Sequence, residues 1–313
     1  MILSASRRTD IPAFYAEWFM NRLREKKVYV RNPMNIYQVS EISLDKSVVD
    51  CIVFWTKNPT NLMKYLDEID DMGYKYYFQF TLNPYDKKME PGLPEKEHLI
   101  DVFGELSSRL GKEAVVWRYD PIILNDYIDI NYHIDNFKKM AKKLSGYTSE
   151  CIISFVDLYK KVEKNMKANI RNISLEEMDE IAKAFSKIAQ ENNLVLKTCA
   201  EKIDFDRYGI KHASCIDGEK IESIINAKLK NLKKDGQREA CGCVECIDIG
   251  AYDTCNHGCS YCYATRNAEQ IRKNMAMHNP GSKLLIGELG ENDKVNVRAV
   301  KSFVESQTSL FDL

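Results

Sequence analysis

The chain has 313 residues, enough to bury the core of one large α/β domain or of two smaller ones. Its composition is that of a globular protein, with 44% hydrophobic residues, and no apolar run approaches the roughly 20 residues that span a bilayer. The formal net charge of -1 excludes a global positive field that would attract nucleic acid, although it leaves local basic faces open.

Six short apolar runs recur along the chain, with helical patterns between them. The runs are Ile2–Ser6, Cys51–Thr56, Tyr76–Leu82, Ala114–Tyr119, Cys151–Val156 and Leu194–Ala200. Near-continuous apolar runs of this length are typical of strands buried on both faces of a parallel sheet. A helix is predicted over Pro12–Arg24 with Asp10 near its cap, and Ser174 with Glu177 predicts a capping box that starts another helix.

The alternation of strands and helices predicts an α/β fold, either a TIM-like (βα) barrel or a doubly wound sheet. Polar residues follow the predicted strands, which favours a partial or complete barrel because the carboxyl ends of barrel strands supply the active site. The residues at these ends are Arg7, Arg8, Asp10, Lys57, Asn58, Asn83, Arg118, Asp120 and Asp157. The alternative is that each is a loop residue or helix cap, and that Arg118 and Asp120 form a structural ion pair.

Composition changes after the last predicted strand and divides the chain into three regions. Residues 1–201 are predicted to form the barrel core. Residues 202–267 are rich in glycine, cysteine and aspartate and are predicted to form a cysteine-rich cap that completes the barrel around a metal. Residues 268–313 are predicted to form a C-terminal helix and tail. No secretory signal is recognisable, so we expect a cytoplasmic protein, in which clustered cysteines indicate metal rather than disulfides.

The cysteines are concentrated in one region, because six of the ten lie between Cys241 and Cys262. Three of these have the spacing C-x-x-x-C-x-x-C: Cys255, Cys259 and Cys262. A tight loop can direct three thiolates at one iron–sulfur cluster and leave one iron without a protein ligand. The alternative is a structural zinc site with His257 as an extra ligand, assembled from Cys241, Cys243, Cys259 and Cys262.

This motif resembles the cluster-binding loop of radical S-adenosylmethionine enzymes, with Tyr261 just before the third cysteine and Tyr263 just after it. The chain from SASRRTDIPAFY to CGCVECIDIGAYDTCNHGCSYCYA also resembles a bacterial family of unknown function that carries such a cluster at its C-terminal end. The second resemblance extends over residues 1–267.

The resemblance implies a barrel of βα units whose [4Fe-4S] cluster binds S-adenosylmethionine at its open iron. A reductant such as flavodoxin or ferredoxin would supply the electron that cleaves the sulfonium to a 5'-deoxyadenosyl radical, which abstracts hydrogen from the substrate. It also implies that Tyr261 packs near the adenine, the alternative being a core aromatic. The other candidates to bind the cofactor are strand-end residues, namely Arg7, Arg8, Arg118 and Asp120.

The motif departs from the usual order of radical S-adenosylmethionine enzymes, because it follows all six predicted strands instead of the first. A circularly permuted barrel reconciles the two orders if Asp248–Thr254 completes the sheet beside Ile2–Ser6. The usual S-adenosylmethionine-binding motifs cannot then be located by sequence order.

Four further cysteines could form a second site, either an auxiliary [4Fe-4S] cluster or zinc. They are Cys199, Cys215, Cys241 and Cys243, with Cys246 as a substitute ligand. The alternative is that they are buried cysteines without a metal. Cys51 and Cys151 begin apolar strands and are predicted to be core residues.

The last residues, ESQTSLFDL, resemble the short peptide with which bacterial replication and repair proteins bind the DNA polymerase sliding clamp. The matching residues are Gln307, Ser309, Leu310 and Phe311. The alternative is a tail folded against its own domain. Clamp binding would favour a nucleic-acid substrate, such as a damaged base repaired by a radical lyase. Two other functions stay open: a non-catalytic iron–sulfur protein for electron transfer or redox sensing, and a zinc-stabilised binding module.

Overall fold

A computed structural model of the chain describes residues 1–156, 170–236 and 241–305. Eight of the described strands form one large sheet and three form a small one. The strands are β1 (Ile2–Ala5), β2 (Lys27–Asn32), β3 (Asn35–Ser43), β4 (Cys51–Thr56), β5 (Tyr76–Thr81), β6 (Val115–Ile122), β7 (Glu150–Phe155), β8 (Val195–Cys199), β9 (Lys211–Ala213), β10 (Ile247–Asp248) and β11 (Lys294–Arg298).

The large sheet has the strand order β10-β1-β4-β5-β6-β7-β8-β9, and every neighbouring pair is parallel. This confirms the predicted α/β fold with a parallel sheet, and the six predicted apolar runs correspond to β1, β4, β5, β6, β7 and β8. In the described ranges no ladder joins β9 to β10, the two ends of this order. The complete form of the predicted barrel is therefore not observed, because the sheet does not close on itself.

Helices connect the parallel strands, which cannot be joined by tight turns. In the described residues they are α1 (Ile11–Phe14), α2 (Ala16–Arg24), α3 (Thr60–Met63), α4 (Leu66–Asp71), α5 (Lys96–Leu110), α6 (Ile130–Leu144), α7 (Leu175–Glu191), α8 (Gly218–Ile225) and α9 (Ala268–Ala276). The predicted capping box before α7 is confirmed, since Ser174 Oγ accepts from Glu177 N at 3.2 Å and Glu177 Oε2 accepts from Ser174 N at 2.9 Å. None of these helices has the length and apolar character to cross a membrane.

Alternate residues of the central strands face two different hydrophobic clusters, as the two-residue period of a strand requires. In β4, Phe54 packs in the main core together with helix residues such as Phe137 of α6. Its neighbour Val53 belongs to a second cluster, which contains Cys215 and Cys243. The face of the sheet turned away from the helices is therefore covered by the cysteine-rich chain that follows β8.

The predicted helix Pro12–Arg24 is divided into α1 and α2. Asp10 caps α1, because its Oδ1 accepts a hydrogen bond from Ala13 N at 3.0 Å. The break lies at Tyr15, whose hydroxyl donates to the carbonyl oxygen of Thr254 at 2.5 Å. The interruption thus connects the first helix to the residue that precedes the cysteine motif.

The small sheet has the order β11-β3-β2 and was not predicted. Its strands β3 and β11 are largely exposed and mix polar with apolar residues. They therefore lack the continuous apolar pattern by which the central strands are recognised. The three predicted regions share the two sheets. In the large sheet, β9 and β10 from residues 202–267 join β1 and β4–β8 from residues 1–201. In the small sheet, β11 from residues 268–313 pairs with β3.

Candidate active site

A cavity of about 430 Å³ opens at the carboxyl ends of the central strands. Seven cysteines line it: Cys199, Cys215, Cys241, Cys243, Cys255, Cys259 and Cys262. Six of the predicted strand-end residues line it as well: Arg7, Arg8, Asp10, Lys57, Arg118 and Asp120. The structure therefore brings the cysteine motif, the further cysteines and the strand ends together around one space.

The strand that leads into the cysteine motif is held beside the first strand of the chain. In the parallel pair of β10 and β1, Ser4 lies opposite Asp248. The Asp248 carboxylate accepts hydrogen bonds from Ser4 Oγ at 3.1 Å, Ser6 Oγ at 2.6 Å and Arg7 N at 2.8 Å. The sheet is completed beside β1 as predicted, but by Ile247–Asp248, so only Asp248 of the predicted segment Asp248–Thr254 is in the strand. The rest of that segment leads from the strand into the motif.

Asp10 joins the cysteine loop to two strand ends. Its Oδ2 accepts a hydrogen bond from Lys57 N, just after β4, at 2.7 Å. The same oxygen lies 2.8 Å from Nε2 of His257, which stands between the first two motif cysteines. Asp10 is 5% exposed, so these hydrogen bonds are shielded from water. Because His257 uses Nε2 for Asp10, it has only Nδ1 left for the metal role considered in the zinc alternative.

Burial opposes ionisation of the motif thiols. Desolvation raises the pKa of the Cys259 thiol to about 12, although the ammonium group of Lys57 acts in the opposite direction. Desolvation and the nearby carboxylate of Asp10 raise the pKa of Cys255 well above its ordinary value. Thiolates are the species that bind metals, so a metal that binds here must displace thiol protons.

Tyr261 belongs to a buried polar network beneath the cavity. Its hydroxyl hydrogen-bonds to Glu90 and accepts from Lys57 Nζ at 2.9 Å. Lys57 Nζ also lies 2.8 Å from Glu90 Oε1, and Lys96 binds the other carboxylate oxygen. Burial alone would raise the pKa of Glu90, but the two ammonium groups hold it below its ordinary value. Tyr261 is 7% exposed and lines the cavity, and these contacts fix the position of its hydroxyl.

Glu90 and Lys96 were not among the predicted site residues. Glu90 lies in the loop between β5 and α5, and Lys96 is the first residue of α5. Neither directly follows an apolar run, which was the signal that identified the other polar residues. Asn83 was predicted, and it does not line the cavity but supports it, because its Nδ2 lies 3.2 Å from the Tyr261 hydroxyl.

Arg118 and Asp120 form an ion pair on the cavity wall. Arg118 Nε lies 3.0 Å from Asp120 Oδ2, and its guanidinium carbon lies 5.3 Å from the centre of the Trp55 ring. Burial would raise the pKa of Asp120, but Arg118 lowers it below its ordinary value. The second arm of the guanidinium reaches the other cysteines, since Nη1 lies 2.9 Å from Cys215 Sγ.

The two arginines after β1 differ in how firmly the protein holds them. Arg7 Nη2 lies 2.8 Å from Asp235 Oδ2 and 3.2 Å from Cys246 Sγ. Arg8 has looser contacts, at 3.5 Å to the carbonyl oxygen of Gly250, 3.9 Å from its Nε to Asp248 Oδ1 and 5.3 Å from the centre of the Tyr252 ring. Arg8 is therefore the cavity cation with more freedom to meet an anionic group of a ligand.

The predicted second set of cysteines comes together in space. Cys199 Sγ and Cys215 Sγ lie 2.8 Å apart. The Cys243 sulfur accepts a hydrogen bond from the amide of Ile216, the residue after Cys215, and Cys241 lies two positions before Cys243. All four cysteines line the cavity, and we refer to them as the row of four thiols. Cys246 does not join the row, since its sulfur meets Arg7. The alternative zinc site combines two cysteines of this row with two cysteines of the motif. The structure does not group the cysteines in that way.

Some predicted residues stand apart from the cavity. Asn58 does not line it and instead accepts a hydrogen bond from Thr60 Oγ1 at 2.6 Å. Cys51 and Cys151 are fully buried in the core, as predicted. Asp157 and the four tail residues Gln307, Ser309, Leu310 and Phe311 lie outside the described residues. In the part of the chain that is described, no group of three or more histidine, cysteine or acidic side chains is already arranged to hold a metal ion.

No curated protein sequence matches the chain. Among solved structures, it is similar to a candidate alpha-L-fucosidase from Bacteroides thetaiotaomicron VPI-5482, at 16% identity and a TM-score of 0.27, over 56% of this chain and 72% of that one. A TM-score this low does not indicate a shared fold. A family profile does match: the one described as Domain of unknown function (DUF1848) covers residues 2–264, and the chain therefore belongs to this family.

Proposed function

We propose that this chain is a radical S-adenosylmethionine enzyme that holds a [4Fe-4S] cluster on Cys255, Cys259 and Cys262. The observation that carries the proposal is the position of these three thiols in the wall of the cavity at the strand ends. Soft sulfur donors favour an iron–sulfur cluster, and three thiolates leave one of its irons open. When bound and reduced, the cluster supplies the electron that cleaves S-adenosylmethionine to a 5'-deoxyadenosyl radical.

The strand order supports a circularly permuted, partial barrel. The chain would run through the large sheet in spatial order if β10 came first, because its neighbours are then β1, β4, β5, β6, β7, β8 and β9 in turn. In that order the cysteine motif directly follows the first strand, as the resemblance to radical S-adenosylmethionine enzymes requires. The late position of the motif in the sequence is then a result of the circular permutation, and the motif occupies the same place in the sheet.

The surroundings of the motif fit a cluster. Three polar atoms near it are buried and have no hydrogen-bond partner among the described residues: Thr9 Oγ1, His257 Nδ1 and Ser260 Oγ. Buried polar groups are rarely left unpaired. Hydrogen bonds to the sulfurs are among the factors that set the potential of an iron–sulfur cluster. The hydroxyls of Thr9 and Ser260 would therefore donate to, and would tune, a cluster on the adjacent cysteines. His257 donates through Nε2 to Asp10, so Nδ1 of its neutral ring is available only as an acceptor.

The cavity residues would hold the cofactor and the substrate in place. Arg8 has the loosest contacts of the cavity cations, so we assign it to the carboxylate of S-adenosylmethionine. Tyr261 lines the cavity while Glu90 and Lys57 fix its hydroxyl, and we assign its ring to pack against the adenine. The Arg118–Asp120 pair keeps opposite charges on the remaining wall.

A nucleic acid is the substrate class that we would test first. The reason is the resemblance of Gln307, Ser309, Leu310 and Phe311 to the peptide that binds the sliding clamp, on residues outside the described part of the chain. A damaged base in DNA would suit hydrogen abstraction by a radical lyase. An ultraviolet-irradiated oligonucleotide is the probe, and loss of its lesion is the readout.

The experiment that tests the proposal is anaerobic purification of the full chain, reconstitution with iron and sulfide, and reduction in the presence of S-adenosylmethionine. We expect 5'-deoxyadenosine in the wild type and only the protein-free background in Cys259→Ala. Cys51→Ala is the control, because Cys51 is buried in the core and does not line the cavity. An iron-containing protein that never cleaves S-adenosylmethionine would indicate electron transfer or redox sensing. A colourless zinc protein would indicate a binding module.

A further inference from the structure

The row of four thiols and the motif cysteines line the same cavity but come from different parts of the large sheet. Cys199 ends β8, which lies near one end of the large sheet, whereas the motif follows β10 at the other end. Cys215 follows β9, and Cys241 and Cys243 come from the chain between α8 and β10. Three separate segments therefore bring the four cysteines to the wall of one cavity.

Two N–H donors point at sulfur atoms in this row. Arg118 Nη1 lies 2.9 Å from Cys215 Sγ, and the backbone amide of Ile216 donates to Cys243 Sγ at 3.3 Å. A positively charged donor and a backbone N–H both favour the negatively charged form of the sulfur that accepts them. The two donors would therefore stabilise thiolates in this row. A core cysteine that stays a neutral thiol needs no such donor.

The loops that carry the row are fixed by specific contacts. The carbonyl oxygen of Cys215 accepts hydrogen bonds from Tyr77 OH at 2.9 Å and Gln79 Nε2 at 2.8 Å. Gly242, between the two cysteines of the C-x-C pair, lies so close to the neighbouring loop that a Cβ there would stand 2.6 Å from Ser214 Oγ. The absence of a side chain at Gly242 lets Cys243 approach Cys215.

We propose that Cys199, Cys215, Cys241 and Cys243 form a second metal centre, in which all four ligands are thiolates. Four thiolates in one place are the donor set of tetrahedral zinc and of iron–sulfur clusters, both thiophilic. Binding displaces the thiol protons, so the metal replaces the sulfur–sulfur hydrogen bonds with metal–sulfur bonds. With four protein ligands the centre has no open position, which distinguishes it from the three-cysteine motif and assigns it no share in binding S-adenosylmethionine.

Metal binding requires a small rearrangement. Two thiolates on one tetrahedral zinc lie about 3.8 Å apart, given Zn–S bonds of about 2.3 Å. Cys199 Sγ and Cys215 Sγ are 2.8 Å apart, so they must separate by roughly 1 Å for zinc and further for a cluster. Cys199 and Cys241 are only partly buried, which allows their side chains to move toward the cavity.

The test uses a full-length variant in which the motif is disabled, Cys255→Ala with Cys259→Ala and Cys262→Ala. After anaerobic reconstitution and gel filtration, we expect it to retain either one zinc or about four irons with matching sulfide per chain. Adding Cys215→Ala should abolish that retention. Adding Cys246→Ala should not, because the Cys246 sulfur meets Arg7 instead of the row. The metal analysis decides between zinc and the cluster.

The proposal is overturned if the folded motif variant retains no metal, or if Cys246→Ala removes as much metal as Cys215→Ala. Should the combined variants fail to fold, alkylation of the wild-type protein gives the same decision. Mass spectrometry should then find the four row cysteines protected until a chelator is added, and equal labelling with and without chelator contradicts the site. These measurements do not depend on cleavage of S-adenosylmethionine, so they can succeed or fail separately from the proposed function.

Discussion

The amide of Gly92 donates a hydrogen bond to the carbonyl oxygen of His257 at 2.8 Å, so the loop after β5 lies directly against the cysteine motif. A Cβ at position 92 would stand 2.6 Å from the carbonyl oxygen of Asn256 and 2.8 Å from that of His257. These neighbours are backbone atoms, which cannot rotate away as a side chain can. The contact therefore requires glycine, and it fixes the motif in the wall of the cavity.

We expect Gly92→Ala to lower the free energy of unfolding by about 1 to 3 kcal/mol, the usual cost of overpacking. It should also lower the iron retained per chain, because the motif must shift. Urea denaturation and iron analysis measure the two effects. Gly290→Ala is the control, since the nearest atom beyond its chain neighbours, Asp293 Oδ2, would lie 4.0 Å from its Cβ. Equal stability and equal iron in the two variants would contradict the role of this contact.

Asp10→Ala should lower the free energy of unfolding by more than the loss of an ordinary helix cap does. Asp10 is buried and accepts from Ala13 N, Lys57 N and His257, so its removal leaves several buried donors unpaired. We expect the free energy of unfolding to fall by about 3 kcal/mol. Asp129→Ala is the matched control, because the exposed Asp129 caps α6 with a single bond to Tyr132 N and should cost about 1 kcal/mol. Similar losses in both variants would show that Asp10 is only a cap.

Glu90→Gln tests the buried network beneath Tyr261. The substitution removes a negative charge that neutralises Lys57 and Lys96, and Glu90 is 1% exposed. Leaving buried ammonium groups unpaired should cost about 3 kcal/mol or more in the free energy of unfolding.

The control for this substitution is Glu97→Gln, which breaks an exposed pair. Glu97 Oε1 lies 2.7 Å from Lys143 Nζ, but the two side chains are 75% and 47% exposed. Such a pair contributes less than about 1 kcal/mol. Chemical denaturation of both variants at neutral pH makes the comparison, and a loss for Glu90→Gln no larger than for Glu97→Gln would mean that the network adds nothing to stability.

His133 predicts a pH dependence of stability. It is fully buried, its Nε2 lies 2.8 Å from the carbonyl oxygen of Ile123, and Tyr119 OH lies 2.8 Å from its Nδ1. Desolvation lowers the pKa of His133 from 6.5 to about 4. Between these two pKa values the His133 imidazole is protonated in the unfolded chain but stays neutral in the folded chain. Lowering the pH therefore favours unfolding.

We therefore expect the contribution of His133 to be complete above pH 6.5 and to fall by about 3 kcal/mol as the pH drops to about 4. Urea denaturation of the wild type and of His133→Asn at several pH values from 7 to 4 measures it. The stability difference between the two proteins should shrink with decreasing pH. A difference that does not change with pH would rule out a neutral buried imidazole.

Much of the large sheet could be predicted from the sequence, because its strands are buried on both faces. Cys51–Thr56 is a continuous apolar run and became β4 with the same bounds. The small sheet could not be predicted in this way, since β3 buries only the separated apolar residues Val39 and Ile42 and otherwise carries exposed or half-buried side chains between β2 and β11.

The candidate site could be predicted where a local motif or a strand end marks it. Cys255, Cys259 and Cys262 are recognisable by spacing, and Arg118 by its strand. Glu90 carries neither signal, and it meets Tyr261 across 171 positions of sequence only because the folded loop lies under the motif. Long-range contacts of this kind depend on tertiary packing and leave no periodic pattern in the chain.

The most direct measurement of the central claim is electron–nuclear double resonance on the reduced protein with S-adenosylmethionine that carries 17O in its carboxylate and 15N in its amino group. If Cys255, Cys259 and Cys262 leave one iron of a cluster open, both labels should couple to the cluster spin, and the signal should be absent from Cys259→Ala. A protein that contains no iron, or a cluster whose spectrum is the same with and without the labelled cofactor, would contradict the account.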